Sequence, residues 1–171
     1  MIVLAGHLAA TRPPRPDWAD SGVPDGELVT MSGCLADLRP PRPGHWTPWS
    51  DEPPVDVRPP HHALAVGLPD DYLAALRADS PEQLPPLPDT PLPDWEPLGY
   101  ELVGADTGVW HTWLCLGGLV DDVGAATGVR PGRRGLIEDE HDARCAADWL
   151  TASNLGDPKV FLWLPVLLLE P

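Results

Sequence analysis

Leu98–Leu116 reads LGYELVGADTGVWHTWLCL, two apolar runs on either side of Ala105-Asp106-Thr107-Gly108. Asp and Gly favour tight reversals, Gly because it has no Cβ and Asp because its side chain bonds the backbone of the turn. The stretch therefore predicts a β-hairpin with strands Leu98–Gly104 and Val109–Leu116. Side chains alternate along a strand, so Trp110, Thr112, Leu114 and Leu116 share one face, and Val109, His111, Trp113 and Cys115 the other. Both faces are partly apolar, as in a strand covered on one side and partly covered on the other.

Downstream of the hairpin, Leu119–Thr127 predicts a short helix that ends in the loop Gly128–Gly135. Glu138–Ser153 carries the strongest helical pattern: acids in its first turn, Ala143, Ala146, Ala147 and Leu150 at spacings of three and four, and stop residues Asn154 and Gly156. Val160–Leu169 then reads as a buried strand in which Pro165 marks a bulge or an edge. Upstream the texture changes, because 20 of the 24 prolines precede Leu98. Proline fixes φ and removes a donor, so dense proline excludes long helices and central strands. Thr11–Gly26, Arg39–Pro60 and Ser80–Pro97 are read as loops on this basis. Between them, Ile2–Ala9 and Glu27–Leu35 predict strands, and Asp70–Ala78 predicts a helix. The sum is an α+β fold: a mixed or antiparallel sheet of about five strands, two to three helices on one face, and long Pro-rich loops at 11–26, 39–60 and 80–97. At 171 residues and 43% hydrophobic content, the chain suits a single domain, 1–171.

Charge bounds the partners. The chain holds 26 Asp and Glu against 11 Lys and Arg, a formal charge of -15, and Lys159 is its one lysine. A negative field of this kind repels nucleic acid and anionic lipid and attracts basic proteins. No apolar run reaches the roughly 18 residues of a membrane span. Ile2–Ala10 is short, broken by His7 and preceded by no basic residue, so no export signal is expected. Three widely spaced cysteines, Cys34, Cys115 and Cys145, fit reduced thiols in a cytoplasm better than a disulfide frame. The shortage of Lys, Asn, Ile and Phe beside abundant Ala, Gly, Pro and Arg fits a GC-rich bacterial genome.

Several constellations could carry chemistry. Asp106-Thr107-Gly108 resembles the triplet of aspartic proteases, but that site needs a second carboxylate and different flanks, so the turn reading stands. His111 and Cys115 share a four-residue spacing with His141 and Cys145, and four such ligands could hold zinc if the pairs met. The same residues could instead form a Cys–His hydrolase. Glu138-Asp139-Glu140-His141-Asp142 is read as a solvated helix start, since carboxylates there complement the helix dipole. Arg130, Arg133 and Arg134 lack the strand–Gly-loop–helix context of a phosphate loop and are read as a loop that offsets the acidic field. His61-His62 is read as solvent-facing. No cofactor is expected.

The tryptophans suggest a binding function. Trp110, Trp113, Trp149 and Trp163 fall in ordered elements, whereas Trp18, Trp46, Trp49 and Trp95 sit in or beside Pro-rich loops. A large aromatic ringed by charge can anchor an interface, although it can equally staple a loop to the core. Trp46, Trp49, Asp51 and Glu52, followed by Asp121 and Asp122, are the candidate partner-binding residues. The expected function is an acidic inhibitor of immunity type that neutralises a basic partner such as a toxin domain. A small metal-dependent or Cys–His hydrolase and a DNA-mimic inhibitor are the alternatives. Leu68-Pro69-Asp70-Asp71-Tyr72-Leu73-Ala74-Ala75-Leu76 resembles the LPxDYxxFL-like helix start of the SMI1/KNR4 immunity superfamily. The resemblance covers these nine residues, lacks the Asn-Gly-Gly that usually follows, and implies a small bacterial immunity protein.

Overall fold

Five strands form one antiparallel sheet in the order β1-β2-β5-β3-β4. The structure is a computed structural model that describes residues 1–19, 22–39, 49–79, 91–106 and 110–171. The strands are β1 (Ile2–Ala10), β2 (His62–Pro69), β3 (Glu96–Ala105), β4 (Trp110–Thr112) and β5 (Leu162–Glu170). Three helices accompany them: α1 (Asp70–Asp79), α2 (Leu119–Thr127) and α3 (Glu140–Ser153). The α+β architecture and the antiparallel sheet agree with the sequence reading. Parts of each proline-rich segment, and residues 107–109 of the hairpin turn, lie outside the described residues.

Sequence register assigns the two faces of the sheet. Glu101 and Val103 lie beside Val166 and Leu164 on one face; Tyr100 and Leu102 lie beside Leu167 and Pro165 on the other. The Tyr100 face carries the helices. There α3 packs on β3 and β5 through its buried stripe Ala143, Ala146, Ala147 and Leu150, and the Tyr100 hydroxyl bonds Glu140. The small alanines let the helix axis approach the sheet closely, and Leu150 fills the gap at its C-terminal end. Asp139 caps α3, its carboxylate accepting from the amides of His141 at 2.8 Å and Asp142 at 3.1 Å. Asn154 ends the helix in the left-handed conformation. On one side α1 is tied to α3: the Tyr72 hydroxyl donates to Asp148, and Arg144 bridges Asp71 and Glu140 while lying over the Tyr72 ring. On the other side α2 packs against α3.

The Glu101 face is covered differently, by irregular chain. The predicted strand Glu27–Leu35 is not a strand. Its amides go to scattered acceptors: Leu28 to the Pro13 carbonyl, Val29 to the Arg134 carbonyl, and Met31 to the Glu101 carboxylate. Ser32 then begins a turn whose hydroxyl accepts from the Cys34 amide at 3.2 Å. Trp49 lies over Gly6, where a Cβ would come within 2.5 Å of its ring. Its indole meets Trp110 edge-on at 4.8 Å between centroids.

Two further strands differ from expectation. β2 was not foreseen; six of its eight residues are buried in succession, so it shows no alternation to read. Its first residue, His62, is exposed, while His61, just before it, lies 3.6 Å from Asp37. The second hairpin strand stops at Thr112, whose hydroxyl accepts from the Leu114 amide and turns Trp113–Cys115 into a 3-10 turn. The predicted alternation therefore fails there, and Trp113 and Leu114 are both buried. Pro165 sits in β5 opposite Leu102, beyond the three residues that pair with β2. At that point β5 is flanked by one strand only, so the missing N–H breaks no ladder.

Candidate functional site

One carboxyl organises the irregular cover. Glu101 is fully buried in β3. It accepts from the Thr30 hydroxyl, from the Met31 amide at 2.8 Å and from the Thr112 hydroxyl at 2.5 Å. Burial drives its pKa up to about 7, while the three donors favour the ionised form and limit the rise. Having no exposed oxygen, Glu101 reaches no solute; it fastens residues 30–31 to the sheet. Nothing local in the sequence marks it, because a Glu in an alternating strand reads as solvent-facing.

The predicted partner-binding residues divide. Trp46 lies outside the described residues. Trp49 is 2% exposed, so it staples its loop to the core and presents no ring to a partner. Asp51 and Glu52, next to it, are exposed. The backbone of Asp51 bonds the buried His7, whose pKa burial lowers. Trp95 also packs inward, edge-on to His7 at 5.7 Å. Among the described loop tryptophans, Trp18 is the one left in solvent, 61% exposed between the exposed Asp17 and the half-buried Ala19. Sequence context does not separate Trp18 from Trp49, since both stand beside Asp and Pro.

Asp121 and Asp122 occupy the first turn of α2, both exposed. Asp121 pairs with Arg130 at 2.9 Å. Gly22 packs against Val120 and Asp121, so the Trp18 loop and the start of α2 are neighbours. Beside Asp122 opens a cavity of about 420 Å³ lined by Leu116, Leu119, Asp122, Leu155, Asp157 and Pro158 among others. Its lining combines apolar side chains with two carboxylates. Among these lining residues Leu155 is 39% exposed to solvent.

The metal and hydrolase candidates do not converge. His111 Nε2 lies 3.9 Å from Asp106 and 3.8 Å from Asp157. Cys115 turns instead toward Ser32 and the Thr112 carbonyl. His141 and Cys145 are exposed on α3. Among the described residues, no three His, Cys, Asp or Glu side chains gather as a metal site requires. The 3-10 turn after Thr112 takes Cys115 off the strand that carries His111 and toward Ser32, while His141 and Cys145 face solvent on α3.

Several of the described arginines are tied to acids. Arg12 and Arg134 both meet Glu170, Arg15 meets Asp25, and Arg144 meets Asp71 and Glu140. Glu170 pairs in register with Glu96, so its two arginines also relieve a like-charge contact. Arg133 is exposed beside an open cavity with Arg134, Glu96 and Glu138. No helix of the described residues is long and apolar enough to cross a membrane. No protein-family model matches the chain, and neither the curated proteins nor the solved structures yield a match.

Proposed function

We propose that this chain is an acidic inhibitor of immunity type that binds a basic protein, such as a toxin domain, through the start of α2 and the loop that carries Trp18. The cavity beside Asp122 carries the reading. An apolar lining of Leu116, Leu119 and Leu155 together with the carboxylates of Asp122 and Asp157 suits the stem and charged head of an Arg or Lys side chain. Trp18 is an exposed aromatic four residues before Gly22, which touches the start of α2, and the exposed Asp17 and Asp25 flank that segment with charge. The net charge of -15 would speed encounter with such a partner. The cytoplasm is the proposed compartment, on the three free thiols.

Immunity proteins are usually encoded beside their toxins, so the partner to test is the product of the adjacent reading frame. Coexpression should protect cells from that product, and the purified pair should bind with an affinity that falls at least roughly tenfold as salt rises from about 0.05 to about 0.5 M. Asp122→Lys and Trp18→Ala should each weaken the complex and leave the fold of the free protein intact. Wild-type affinity from both variants, or an affinity indifferent to salt, would remove the reading.

A further inference from the structure

The cysteines have no part in the proposed interface, yet two of them share one neighbour. The Ser32 hydroxyl accepts from the Cys34 amide at 3.2 Å and contacts the Cys115 sulfur at 4.0 Å. The Cys34 backbone therefore lies within the combined length of those two contacts from the Cys115 sulfur. Both thiols are free. Cys34 is exposed on a turn beside Gly33, around which space is open, so its side chain can swing. Cys115 is half-buried at the end of the 3-10 turn and donates to the Thr112 carbonyl at 3.3 Å. Cys145 stands apart on α3, which packs on the opposite face of the sheet.

We propose that Cys34 and Cys115 form a redox-responsive pair, which a low-molecular-weight disulfide oxidises to an internal disulfide that pins the Ser32–Ala36 turn to the turn after β4. The burial of the two sulfurs sets the order of steps. Cys34, open to solvent, loses its proton and attacks one sulfur of the small disulfide; that S–S bond breaks and one small thiolate leaves. The Cys115 thiol, which burial pushes up, gives its proton to solvent as its sulfur attacks the Cys34 sulfur. The mixed disulfide breaks and the second small thiolate departs. Two protein thiols are oxidised and one small disulfide is reduced to two thiols, so electrons and protons balance. The new bond would hold Thr30 and Met31, a few residues before Cys34, against Glu101.

Treatment of the native, dilute protein with oxidised glutathione tests this. The expected product is a monomer lighter by about 2 Da, reversed by a thiol reductant, with one linked peptide pair spanning Cys34 and Cys115. Cys34→Ser should abolish the cross-link, and Cys145→Ser should leave it unchanged. The proposal fails if native protein carries only glutathione adducts or intermolecular dimers, or if the Cys34–Cys115 link forms only after unfolding in urea.

Discussion

The two faces of the sheet are held by different means. On the Tyr100 side, a helix with a repeating stripe of small and apolar residues spreads its contacts over β3 and β5. On the Glu101 side, residues 28–32 and Trp49 are attached at a few points: one carboxyl with three donors, one indole over a glycine, and isolated amide bonds. Distributed packing loses a little with each deletion. Point attachment concentrates the loss, and it makes the cover sensitive to the protonation of a single group.

Substitutions can break this contrast in order of size. Trp49→Ala should cost most, about 3–5 kcal/mol, because the vacated space over Gly6 also strips Trp110 of its edge contact. A chemical denaturation curve would show it, with a shift in Trp110 emission at lower denaturant than the loss of helix signal. On the other face, Leu150→Ala should cost about 2–4 kcal/mol with tertiary and helical signals lost together. Removing a single point of the helical layer should cost less. Tyr72→Phe, which deletes the hydroxyl bonded to Asp148, should lower stability by about 1 kcal/mol. Asp139→Ala should cost about as much through the two orphaned amides of α3, seen as faster hydrogen exchange at His141 and Asp142.

The same contrast explains what could be read from the chain. A helical stripe is local, so the bounds of α2 were read as they stand, and those of α1 and α3 to within one or two residues. The strand expected at Glu27–Leu35 rested on a local apolar pattern, but its backbone partners sit at Pro13, Glu101 and Arg134. No window of sequence contains those pairings. β2 escaped notice for the reverse reason: buried on both faces, it has no polar beat to count. At the candidate surface, the acids were legible because charge stays in solvent. Which tryptophan stays in solvent was not, since Trp49 packs against Gly6 and Trp110, both far from it in sequence.

The account stands on Glu101, and the sign of its pH dependence is definite. Its folded pKa, raised from 4.5 to about 7, means that the native state holds a proton the unfolded chain has released. Its contribution is fully present below about 4.5, declines as pH rises to about 7, and is constant above. Buried His7, with its pKa lowered, works in the opposite sense as pH falls below the ordinary histidine value. The decisive measurement is therefore the denaturation free energy of wild type and of Glu101→Gln at intervals between about pH 5 and about pH 8. The wild-type value minus the variant value should fall by about 2–3 kcal/mol as pH rises through that range. A difference that stays level would mean that Glu101 is not the buried carboxyl that fastens residues 30–31 to the sheet.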